Sequence, residues 1–221
     1  GNSIGDFYYT PPTGYMALCD KNISDVTIAD PGDHFKAVLY NGTGASNAVT
    51  GVGFQPDLVW VNDRSGTNWH SVHDSVRGVD KAIYPNEWDA ESTNAEGITS
   101  FDSDGFTLGT HSNNNNSGNN YSSYAWKANG AGVANTDGTI ASTVSANTTA
   151  GFSIVTYTAA GGDDQTYGHG LTKSPEFILL KNRTQGGGDN TGWQVYHVTS
   201  GNAQYMHLHN TNAQAPGAEI W

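Results

Sequence analysis

Residues 51–65 read GVGFQPDLVWVNDRS, and residues 168–184 read GHGLTKSPEFILLKNRT. Each carries a Gly-x-Gly turn, a proline, an acid, four large apolar residues and a polar tail with an arginine. An apolar run this short, bounded by turn residues, predicts a strand buried on both faces rather than a helix. Two central strands in one chain set the reading as all-β and antiparallel.

The duplication extends outward from these strands. HFKAVLYNGTG (34–44) matches GFSIVTYTAAG (151–161) without a gap, and the same spacing carries Gly53 onto Gly170. Two extra residues precede Pro175, after which Asp57 matches Glu176 and Arg64 matches Arg183. The glycine-rich QGGGDN (185–190) then shifts the match again, pairing Trp69 with Trp193 and His73 with His197. Gaps confined to turns are what a copied sheet unit tolerates.

ITSFDSDGFTLG (98–109) predicts a hairpin about Ser-Asp-Gly, and YSSYAWKA (121–128), with Tyr124 and Trp126 in alternation, a half-buried strand. GTIASTVSAN (138–147) predicts one strand, while HSVHDSVRGVDKA (70–82) is ambiguous. HSNNNNSGNN (111–120) reads as a polar loop with no means of packing, mobile or ordered by a neighbour. The second copy has no match for the hairpin or for YSSYAWKA, so it reads as truncated. The organisation expected is 1–30 as the end of a preceding domain with a linker, 31–130 as a first β unit, 131–150 as a connecting strand, and 151–221 as an incomplete second unit. The unpaired DFYYT (6–10) is a candidate edge strand for that second unit.

The formal charge is −12, with 9 Lys+Arg against 21 Asp+Glu. This balance repels phosphate backbones and argues against nucleic-acid binding. No apolar run reaches the ~18 residues of a membrane span. The opening residues lack a signal peptide's basic start and apolar core. The lone Cys19 excludes an intrachain disulfide.

DFYYTPPTGYMALCDKNISDVTIAD (6–30) resembles the closing strand and linker of SPRY-like domains in tailed-phage fibre proteins. The ordered series HFKAVLYNGTG, GVGFQPDLVWVNDRS, DSVRG, ITSFDSDGFTLG and YAWKANG resembles a repeated domain of such proteins, largely from marine phages. GFSIVTYTAAG, GHGLTKSPEFILLKNRT and WQVYH resemble that domain's second half. The resemblance implies a virion or extracellular location, other fibre subunits as partners, and a β-sandwich of concanavalin-like or jelly-roll type. It implies no catalytic residue and no cofactor.

Arg64–Trp69–His73 and Arg183–Trp193–His197 are the candidate ligand-binding residues. A Trp face suits the C–H surface of a sugar, while Arg and His bond its hydroxyls. The competing reading is that each Trp plugs a core and each Arg meets a carboxylate. Asp74 and Arg77 read as a salt bridge bracing a turn. Asp102 and Asp104 have calcium-loop spacing but lack a downstream bidentate acid. Glu87, Asp89, Glu91 and Glu96 are the acids available for hydrolysis, and they read as solvated. His207 and His209 would share a strand face, with no third metal ligand evident in sequence. The expected function is a non-enzymatic fibre module that binds a cell-surface glycan or carries a receptor-binding tip. A polysaccharide depolymerase and a purely structural spacer are the alternatives.

Overall fold

The structure is a computed structural model and describes residues 28–162 and 164–217. The chain divides into Gly1–Pro31 and Gly32–Trp221, and the second unit is described here. DFYYT and Cys19 lie outside the described residues. Strand dominates, helix is limited to a few short turns, and every paired strand is antiparallel. No helix among the described residues is long and apolar enough to cross a membrane.

The largest sheet has six strands: β1 (Phe35–Asn41), β3 (Leu58–Asp63), β4 (Ser71–Asp74), β5 (Gly78–Ile83), β6 (Ser92–Thr93) and β9 (Asn120–Trp126). They lie in the order β1-β9-β3-β4-β5-β6. As expected from its apolar run, β3 is central, pairing Trp60 with Tyr124 on one side and with Val72 on the other. The ambiguous stretch 70–82 is β4 and β5, joined by a turn. Asp74 braces that turn by accepting from the Val76 and Arg77 amides at 3.0 and 2.9 Å and pairing with the Arg77 guanidinium.

Strand β2 (Asn47–Thr50) pairs with β8 (Gly105–Leu108), and β8 with β7 (Ile98–Asp102). The Ser-Asp-Gly hairpin forms as expected. Gly105 sits at φ +152°, and a Cβ there would collide with the Val49 carbonyl, so only glycine closes this turn against β2. Two smaller sheets follow. One contains β10 (Val133–Asn135), β11 (Ser142–Asn147) and β12 (Phe152–Tyr157). The other contains β13 (Phe177–Lys181), β14 (Trp193–His197), β15 (Gln204–His207) and β16 (Ala215–Pro216).

Side-chain alternation on β3 feeds two cores. Val59 and Val61 join Tyr121 and Ala125 of β9 and Val49, Ile98, Phe106 and Leu108 of the β2-β8-β7 sheet. Leu58 and Trp60, on the opposite face, join Val72, Ile83, Leu179, Trp193 and Leu208. The six-stranded sheet therefore packs on both faces.

Strand β9 is half-buried as expected: it buries Tyr121, Ser123 and Ala125, while Tyr124 is exposed and Trp126 half-buried. Two expectations change. Strand β13 is an edge strand, with Phe177 55% exposed, because no described strand pairs with it opposite β14. HSNNNNSGNN is packed by its own chain. It contains the short helix α1 (Ser112–Asn115), whose Asn114 and Asn115 are fully buried.

The two Gly-x-Gly stretches also differ. Gly51 and Gly53 both have positive φ and donate their amides to the Asp104 carboxylate at 3.1 and 2.6 Å. Asp57, after the proline, is buried and accepts from the Ala128 and Gly130 amides at 2.7 and 3.0 Å. In the second copy Glu176 is exposed. Asp104 and Asp57 thus hold the hairpin and the end of β9.

Candidate functional site

The loop between β3 and β4 carries the candidate site. Asp63, buried at the end of β3, accepts from the Ser65 amide at 2.8 Å and from the Asn68 and Asn119 side chains at 2.7 Å each. These bonds satisfy a carboxylate that would otherwise be costly to bury and curl the loop back on itself. The His70 amide donates to Asn86 Oδ1 at 2.9 Å, fixing the loop's other end. Between these anchors Trp69 is 40% exposed, its ring edge-on to Tyr84 at 5.1 Å between centroids. Tyr84 is itself buried and shares a hydrogen bond with Ser92 at 2.6 Å. Trp69 is thus held against a rigid neighbour with part of its ring in solvent.

The facing wall is the start of α1. His111 Nδ1 accepts from the Asn113 amide at 3.2 Å, which leaves the proton of the neutral ring on Nε2. Burial lowers the His111 pKa, so the ring is neutral at pH 7 and offers a donor. Thr67, Asn68, Trp69, Tyr84, His111, Ser112 and Asn113 line an open cleft of about 430 Å³. It combines a flat apolar ring with amides, hydroxyls and an imidazole. It has no carboxylate and no formal charge on its lining residues.

The six expected residues do not converge. Arg64 is exposed at the end of β3, and Trp69 lies in the cleft. His73 points into the protein, fully buried, donating from Nδ1 to the Val79 carbonyl at 2.7 Å. Arg183 is clamped to Glu91 by bonds of 2.8 and 2.9 Å. Trp193 is buried and donates from Nε1 to the Tyr84 carbonyl at 2.7 Å. His197 bonds Thr199 at 2.7 Å and caps a short 3-10 turn. A ligand reaches neither His73 nor Trp193 without opening a core, and Arg183 is already paired with Glu91.

Strand register explains part of this divergence. Val59 faces His73, but its counterpart Ile178 faces Tyr196 rather than His197. A displacement of one residue turns matching side chains to opposite faces. Tyr84, His111, Ser112 and Asn113 carried no site signal in sequence; they meet Trp69 only through the pairing of distant segments.

Glu91 is the most constrained of the four acids weighed for hydrolysis. Burial would raise its pKa, but the hydrogen bonds and positive charges of Arg183 and Arg77 together outweigh burial and lower it. It stays ionised and cannot serve as a general acid near neutral pH.

A family described as a domain of unknown function, DUF7483, matches residues 30–221. The chain belongs to this family. No curated protein matches the chain, and no solved structure does. Membership in DUF7483 spans every element of the cleft, from β3 to α1.

Proposed function

We propose that this DUF7483 chain is a non-enzymatic adhesive module of a tailed-phage-type fibre, exposed on a virion, that binds cell-surface carbohydrate in the Trp69 cleft. The observation that carries this reading is a partly exposed Trp ring set among uncharged hydrogen-bonding groups. Such a wall takes the apolar face of a sugar while amides and hydroxyls meet its oxygens. A purely structural spacer has no use for a solvent-facing Trp held in place this way. Repetition along a fibre would turn weak single-site binding into useful avidity.

We also infer that the sheets form a sandwich of jelly-roll or concanavalin-like type, derived from two related units. Two antiparallel meanders support this, β3-β4-β5 and β13-β14-β15. So do the matching positions Trp60 and Leu179, which pack into one core.

The test is a pull-down with bacterial surface polysaccharides, or a glycan array, comparing the native chain with Trp69→Ala. Retained sugar should fall about tenfold or more, as loss of an aromatic anchor implies. Stability should change by less than about 1 kcal/mol, since the ring is partly in water. Equal binding by the variant removes the site from consideration.

A further inference from the structure

His207 ends β15 and His209 follows two residues later, their ring centroids 5.3 Å apart. The loop between β13 and β14 brings Asp189 to them, the third ligand that sequence spacing did not supply. One ligand atom from each of Asp189, His207 and His209 lies within 4.8 Å of the other two. The His209 ring is 1% exposed and the Asp189 side chain 48% exposed, so the group is walled on one side and open on the other. His207 Nδ1 is buried without a hydrogen-bond partner, and such an atom calls for an explanation.

We propose that Asp189, His207 and His209 form a binding site for a zinc-class divalent cation. Two imidazoles and a carboxylate are a borderline donor set, suited to zinc and its neighbours, whereas calcium and magnesium prefer oxygen alone. The Asn210 and Asn212 side chains donate to the two oxygens of Asp189 at 2.9 and 3.0 Å. They orient the carboxylate as the outer partners of metal-binding acids do. Three protein ligands leave a fourth position to water.

Two features weaken the site. The Trp193 amide donates to His209 Nδ1 at 3.2 Å, which favours the tautomer with its proton on Nε2, and the Asn210 side-chain amide lies 3.3 Å from that Nε2. A cation at Nε2 needs that proton on Nδ1 and displaces the Trp193 contact. Lys181 also acts on His209 as a nearby like charge. These costs make the site weaker than a closed structural zinc site. Binding would tie the glycine-rich loop at 185–190 to β15 and stiffen this end of the sheet.

The experiment uses the untagged full chain as Cys19→Ser, which removes its only thiol, stripped with chelator and titrated with Zn²⁺ by calorimetry. One zinc per chain should bind, and the melting temperature should rise with zinc. His207→Gln and Asp189→Asn should each lower the affinity by about tenfold or more and shrink the thermal shift at a given zinc concentration. If His207→Gln does not fold, the exposed Asp189→Asn decides alone. No saturable binding, or unchanged affinity in Asp189→Asn, overturns the proposal.

Discussion

Asn115 and His73 show what single buried polar side chains do in this protein. The Asn115 side chain accepts from the Thr43 amide at 2.8 Å and donates to the Ala45 and Gly109 carbonyls at 2.5 and 2.7 Å. Asn115→Ala strands these groups in the interior and should cost about 2–3 kcal/mol in urea unfolding; a cost within experimental scatter of zero would refute this packing. His73 is pushed down to about 4 from 6.5, because burial outweighs its bond to Val79. As pH falls below 6.5 the unfolded chain takes up a proton that the folded chain refuses until about pH 4. Stability from this group is therefore full above 6.5 and is lost progressively on acidification, by about 3 kcal/mol in all. His70, His111 and His209, also lowered by burial, add to the slope. Chemical denaturation across this pH window should show His73→Gln with a slope smaller by about one proton; an unchanged slope excludes His73 as a source.

At the scale of elements, composition served well where the signal was local and apolar. DLVWV and the Ser-Asp-Gly hairpin were legible because strand alternation and turn chemistry act within a few residues. HSNNNNSGNN was misread because polarity measures preference for water, not the capacity of amides to satisfy a buried backbone. Asn114 and Asn115 pack by hydrogen bonds, which hydropathy does not count. EFILL was misread for another reason. An apolar run records that a strand can be buried, while its place in a sheet depends on which neighbours pair with it. The cleft is partly legible in sequence: Trp69 is a candidate there, but its facing wall comes from α1, more than forty residues on.

Across the molecule, Glu91 and Trp193 join the six-stranded sheet to the four-stranded one. Glu91 lies between Arg77 at 3.1 Å and Arg183 at 2.8 Å, with Arg77 almost wholly buried. Glu91→Gln removes the charge that these two guanidinium groups share and should cost about 3 kcal/mol in urea unfolding. Arg183→Gln should cost less than about 1 kcal/mol, because its side chain is 38% exposed and screened by solvent. Equal costs for the two would show that the Arg77–Glu91 bond does not anchor the joint. Trp193 reinforces the same joint by filling the core shared with Val72 and Ile83.

By itself the sequence determined strand content, antiparallel hairpins and the Asp74–Arg77 brace, since each follows from contacts between near neighbours. Only the tertiary structure decided that Trp69 faces solvent while Trp193 is buried, that Glu91 lies between two arginines, and that Asp189 meets His207 and His209. Those outcomes depend on strand order and register, and a one-residue difference in register sends matching side chains to opposite faces. Two similar stretches of sequence therefore took unlike surroundings, because their neighbours in the sheets differ.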